Sequence, residues 1–137
     1  MSHDDDSSSL LPPSPDQLAA APKSSTDRVE FVDKKRADSV LEADVLSAPV
    51  LLKIDVQGTE LAVLEGFGDR LDDVDFVLVE LSLVELYLGQ QLASEIISWL
   101  FLRGFEVNRI GAPTLFEDVQ LQADILFARA SSGGRTN

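Results

Sequence analysis

Leu51-Leu52-Lys53-Ile54-Asp55-Val56-Gln57-Gly58-Thr59-Glu60 is the stretch that decides the fold. An apolar run carries an acid at its end, then a glycine turn, then a second acid that opens a helical pattern. Open α/β sheets present polar groups in this way at the carboxyl edge of a strand, where they bind ligands. Working outward, residues 50–56 read as a buried strand and 59–65 as a helix that Gly66 is placed to end as its C′ residue.

Downstream, residues 75–81 form a second apolar run, with Phe76-Val77-Leu78-Val79 at its centre and Glu80 near its end. Near-continuous runs of this kind belong to parallel sheets covered on both faces. Residues 91–103 make the longest helical pattern, with Leu92, Ile96 and Leu100 on one stripe, Ile97 and Phe101 beside it, and Gly104 to close it. Residues 105–110 and 123–130 read as the last two strands. Between them, Gly111-Ala112-Pro113 and Glu117-Asp118 suggest a loop rather than a two-residue hairpin. Upstream, residues 29–32 read as a short strand and 37–46 as a short helix carrying Val40, Leu41 and Val45. The alternation predicts a layered α/β domain over residues 28–130, mostly parallel, with an antiparallel final strand.

Residues 1–27 are rich in Ser, Asp and Ala and hold Pro12, Pro13, Pro15 and Pro22, four of the six prolines. Such a segment offers little apolar surface to offset its ordering entropy, so disorder is expected, with a helical turn conceivable at 16–21. Residues 131–137 are expected to fray.

With 137 residues the chain has room for one domain. It contains no cysteine, which excludes disulfides, thiolate nucleophiles and thiolate metal sites. Its one histidine, His3, lies beside Asp4, Asp5 and Asp6, a polar tail rather than a metal site of fixed geometry. A net charge of −13 argues against nucleic acid or an anionic membrane as partner, because both are held by clustered Lys and Arg. The same acidity fits a high-salt interior, where counterions screen self-repulsion. The amino-terminal residues lack a basic and apolar secretory signal, and no apolar run approaches a membrane span, so a cytoplasmic location is expected.

The run from Lys53 to Gly66, Lys-Ile-Asp-Val-Gln-Gly-Thr-Glu-Leu-Ala-Val-Leu-Glu-Gly, closely resembles the signature of FkbM-type S-adenosylmethionine-dependent methyltransferases. Asp75-Phe-Val-Leu-Val-Glu80-Leu-Ser resembles that family's next strand. Leu86-Tyr87 and the Arg103-Gly104-Phe105 helix end are similar to the elements that follow. The resemblance covers roughly residues 29–129. It implies the carboxyl half of a class I, Rossmann-like methyltransferase domain, S-adenosylmethionine as cofactor, and O-methylation of a hydroxyl on a sugar or natural product. The family's cofactor grip, Asp-x-Gly-Ala-Asn-x-Gly, has no counterpart before Lys53, and residues 1–50 contain no glycine. The expectation is therefore a domain whose first half is missing, with the cofactor-binding residues unassigned. The alternative is a non-catalytic remnant or interaction module. Its first buried strand would expose an unpaired edge and oligomerise, or be covered by a partner chain. A phosphoacceptor receiver domain built on Asp55 fits poorly, because receivers carry their acidic pair after an earlier strand.

On this resemblance the acceptor-side catalytic candidates are Asp55, Glu60 and Glu80. Asp55 would orient an acceptor hydroxyl, take its proton or ligate a divalent metal; the plainer reading pairs it with Lys53 two residues away on the same strand face. Glu60 falls in the first turn of a helix, where a carboxylate is favoured by the dipole alone. Glu80 ends a buried strand, which is costly for a carboxylate unless it is paired or reaches the sheet edge. Lys53, Gly58 and Tyr87 are the substrate-side candidates. Their plain readings are a counterion to Asp55 or Glu80, a turn glycine and a packed aromatic. Trp99 reads as packing and Glu85 as solvated.

Overall fold

The computed structural model describes residues 8–26, 28–42 and 45–130. In chain order the elements are α1 (Pro15–Ala20), α2 (Ala37–Val40), β1 (Leu51–Ile54), α3 (Glu60–Phe67), β2 (Phe76–Ser82), α4 (Ala93–Phe101), β3 (Phe105–Ile110), β4 (Thr114–Phe116) and β5 (Val119–Arg129). Short 3-10 turns follow α1 at Pro22–Ser24 and α3 at Gly68–Asp73.

The strands form one mixed sheet in the order β1-β2-β5-β3, with β4 attached to β5. β1 and β2 are parallel, and β5 lies antiparallel between β2 and β3. The expected antiparallel last strand is present, but its central position makes three of the four pairings antiparallel, against an expectation of a mostly parallel sheet. β2 explains why the sheet holds. Val77, Val79 and Leu81 alternate onto one face and are fully buried, opposite Phe127, Ile125 and Ala123 of β5. Leu64 of α3 and Ile96 and Leu100 of α4 pack on that face with Ile54 and Phe105. Each fully buried Leu, Ile or Phe contributes about 1.5–3 kcal/mol against exposure, so this cluster carries the stability. The other face, with Phe76, Leu78, Glu80 and Ser82, is only partly covered. The two-sided burial expected of the apolar runs is thus replaced by helices on one face.

Several local expectations change. α3 runs past Gly66 to Phe67 and stops at Gly68, whose φ of +51° suits glycine. Residues 29–32 form no strand, and Val29, Phe31 and Val32 are exposed. The helix read over 37–46 ends at Val40, with Val40 and Val45 also exposed; a helix that buries no apolar face is not propagated. Residues 43–44 lie outside the described residues. Glu117 and Asp118 form a two-residue hairpin after all, both with positive φ, joining β4 to β5 with Phe116 opposite Val119. Asp118 is among the residues that tolerate the left-handed region, whereas Glu117 adopts it without that advantage where Asn is usual.

The largest change is at the amino terminus. Residues 8–26 pack against the sheet's carboxyl edge instead of lying free. Ser14 caps α1, its Oγ accepting the Gln17 N–H at 3.1 Å, and Pro15 begins the helix. Pro13 bridges antiparallel to Tyr87: Ser14 N donates to Leu86 O at 2.7 Å and Leu88 N to Pro12 O at 2.9 Å. Leu11 and Ala20 complete a small apolar cluster with Leu86, Tyr87, Leu121 and Phe116. What composition alone missed is this apolar recess, which gives the segment's few hydrophobic residues somewhere to bury.

Candidate active site

β1 and β2 run parallel, so their carboxyl ends reach the same edge, and the turn after β1 turns back over it. Gln57 and Gly58 hold this turn with φ of +52° and +102°. Gly58 is doubly constrained, because a Cβ there would lie 3.0 Å from Tyr87 Cβ. Its N–H is satisfied by Glu60 Oε1 at 2.8 Å. Glu60 is 5% exposed, so its carboxylate is spent on tying the turn to the start of α3.

Asp55, at the end of β1, meets Lys53 Nζ at 3.3 Å, the pairing that the two-residue strand period predicts. The two side chains are 43% and 61% exposed, so the ion pair contributes little to stability. Glu80 lies on the partly covered face of β2, directly opposite Asp124 of β5. Burial pushes its carboxyl above the usual range, and Asp55 and Asp124 push it further. Hydrogen bonds from Gln122 and Gln57 oppose the rise.

Gln57 joins these groups. Its Nε2 donates to Asp55 Oδ1 at 2.8 Å and to Glu80 Oε2 at 3.4 Å, and its Oε1 accepts from Tyr87 Oη at 2.9 Å. Gln17 of α1 donates to the same hydroxyl at 3.5 Å. Tyr87 is both a core aromatic and a site residue. Its phenol is pushed up to about 12, first by burial and then by Glu80, Glu60 and Asp55.

Two cavities open on this edge. The larger, about 820 Å³, lies between the amino-terminal segment and α3, bordered by Pro12, Val32, Lys35, Val56, Val63 and Tyr87. The smaller, about 290 Å³, is bordered by Gln17, Gln57, Glu80, Phe116, Leu121 and Gln122. Asp55 lines both.

The structure thus brings Asp55, Glu80, Lys53, Gly58, Glu60 and Tyr87 to one edge, with Glu60 in a turn-closing role. Gln57, Gln17, Gln122 and Asp124 were not anticipated. Gln57 stood in the diagnostic stretch between an acid and a glycine; Asp124 could have been found by aligning β5 against β2. Gln17 had only the Ser-Pro-Asp helix start before it as a signal. Trp99 lies partly buried against the core with Arg103 3.4 Å over its ring, and Glu85 caps a turn through Gly89 N at 2.8 Å. No group of acids or histidines able to hold a metal occurs among the described residues, and His3 lies outside them.

Polar side chains gathered where two parallel strands end lie where open α/β sheets bind ligands. A family profile described as the methyltransferase FkbM domain matches residues 2–107, and the chain belongs to that family. The matched span includes the amino-terminal segment that packs at the site. The chain is also similar to the hexuronic acid methyltransferase AglP of Haloferax volcanii, with 35% identity over 69 residues, half of this chain and 29% of that relative. No solved structure matches. Among the described residues, no helix is long and apolar enough to cross a membrane.

Proposed function

We propose that this chain carries the acceptor side of an S-adenosylmethionine-dependent O-methyltransferase with a Rossmann-like ancestry, acting on a hydroxyl of a sugar or natural product. The single observation that carries this reading is that Asp55 lines both cavities, so ligands in the two would meet at its carboxylate. Family membership supports methyl transfer, and the named activity of the haloarchaeal relative supports a carbohydrate acceptor.

The larger cavity falls in the usual size range for a small-ligand pocket. Its lining fits a nucleoside-type cofactor in donor set: an apolar wall from Val29, Val32, Val56 and Val63, lysine ammoniums at Lys34 and Lys35, and the Glu30 carboxylate. Lys34 and Lys35 would hold its carboxylate and Glu30 its ribose hydroxyls. The glycine turn of the family pattern is absent from these walls. The cofactor, when bound, supplies an electrophilic methyl on a sulfonium. The chain's own residues then orient a hydroxyl in the smaller cavity against Phe116 and the amides of Gln17 and Gln122, exclude water with the α1 segment, and accept a proton.

Isothermal titration with S-adenosylmethionine and S-adenosylhomocysteine, followed by labelled-methyl transfer to hydroxylated sugars, tests this. Micromolar binding and transfer are expected; a folded sample that neither binds nor transfers refutes the reading.

A second reading, an interaction module that oligomerises, is favoured by one observation. β1 pairs only with β2 among the described residues, and Leu51 beside its free edge is 57% exposed. Unpaired edges of this kind recruit strands. Sedimentation giving a monomer with a cooperative melt would exclude it.

A further inference from the structure

Two carboxylates stand at the mouth of the site, and the residue between them divides their roles. Gln57 holds a left-handed backbone conformation, which is unfavourable for a residue with a side chain. What that conformation secures is the aim of its amide. The hydrogen bonds run in one direction, from Gln17 Nε2 to Tyr87 Oη, from Tyr87 Oη to Gln57 Oε1, and from Gln57 Nε2 to Asp55 and Glu80. The amide NH₂ faces both carboxylates, which when ionised can only accept, and the amide oxygen is left facing inward, where the Tyr87 hydroxyl donates to it.

The two carboxylates receive unequal shares. Asp55 takes the shorter bond, 2.8 Å, and also has Lys53 at 3.3 Å. Glu80 takes the longer bond, 3.4 Å, and among the described residues faces no ammonium or guanidinium. The groups that do face it are Asp55 and Gln57 after β1, Asp124 and Gln122 on β5, and Tyr87 after β2.

We propose that Gln57 is the positioning residue of this site, oriented by Tyr87 and Gln17, and that it leaves Asp55 as the charged anchor and Glu80 as the proton acceptor. The destination of the proton rests on the methyltransferase reading above. The acceptor hydroxyl gives its proton to a Glu80 carboxylate oxygen, and the O–H bonding pair stays on the oxygen that takes the methyl. Both carboxylates border the smaller cavity in which the acceptor would sit, but Asp55 is already held by Lys53 and by the shorter Gln57 bond, which leaves Glu80 the less engaged of the two.

The test is a ¹³C-carboxyl NMR titration of the full chain as wild type, Gln57→Asn and Tyr87→Phe. Asparagine keeps a good left-handed former but is one methylene too short to reach both acids. Tyr87→Phe keeps the packed ring and removes only the hydroxyl that orients the amide. The Glu80 midpoint is expected to rise by roughly half a pH unit in Gln57→Asn and by less in Tyr87→Phe, as a donated bond is lost. An unchanged Glu80 midpoint in both folded variants overturns the proposal; a purely structural role would lower stability without moving it. Wild-type methyl transfer is measured separately. Shifted midpoints without transfer to any hydroxylated acceptor uphold the positioning and overturn the reading that gives the proton its source.

Discussion

Gly58 and Gly66 stand eight residues apart in the diagnostic stretch and place opposite demands on substitution. Gly58→Ala meets both a positive φ and a Cβ contact at 3.0 Å with Tyr87. A loss of about 1–3 kcal/mol in urea unfolding is expected. Gly66 lies inside α3, and a Cβ there comes no nearer than 3.8 Å to other atoms, so Gly66→Ala should gain about 0.4–1 kcal/mol. Glu60→Ala should cost about 1–3 kcal/mol by orphaning the buried Gly58 N–H, a stability effect that melting detects without any substrate. Tyr87 is the only tyrosine, so its phenolate is readable by absorbance near 295 nm. Its folded value of about 12 stands above the ordinary 10, so folding favours the protonated form. That contribution is complete below pH 10 and is lost as pH rises through 10 toward 12, and an ordinary midpoint near 10 would contradict the buried network. At this scale positions were legible: an acid, a glycine and an acid at fixed spacing put Asp55 after the strand, Gly58 in the turn and Glu60 in the first turn of the helix, where they lie. The amides were not, because a glutamine carries no charge or period that distinguishes it from surface filler until its neighbours are known.

Elements were legible in proportion to the apolar face they bury. β2 and α4 have strong stripes and were found to within two residues, whereas in the segments at 29–32 and 37–46 the hydrophobic residues Val29, Phe31, Val32, Val40 and Val45 stay exposed. α1 shows the converse. Its sequence is that of a polar tail, yet Ser14, Pro15 and the antiparallel bridge at Tyr87 bind it to the site. Ser14→Ala should cost about 1 kcal/mol through the lost cap. It should also speed hydrogen exchange at the Leu88 amide, which bonds Pro12, while leaving the β2 amides protected. Uniform loss of protection would show that α1 and the sheet open as one unit. Arg129 at the end of β5 works as a second clasp. It donates to the carbonyls of Val74 and Leu71 and covers the Phe105 ring at 4.5 Å. Arg129→Lys keeps the charge but not the fork, and should still lower the melting temperature.

For the molecule as a whole, charge and topology set the behaviour. With a net charge of −13, raising sodium chloride from low to molar levels should raise the melting temperature by screening self-repulsion; a flat or falling dependence would show that local pairs dominate. The strand order was legible only in part. An antiparallel last strand was expected, but its place between β2 and β3 depends on which edges remain free after the helices have packed, and no local pattern encodes that. This placement has a temporal side. The strand that joins the two parts of the sheet is made after both strands it joins, so at roughly 5–20 residues per second the nascent chain spends about one to four seconds with β2 and β3 made but unjoined. Until Arg129 emerges, both strands offer open edges to whatever is nearby, so a chaperone or a neighbouring nascent chain competes with β5 for the central position in its own sheet.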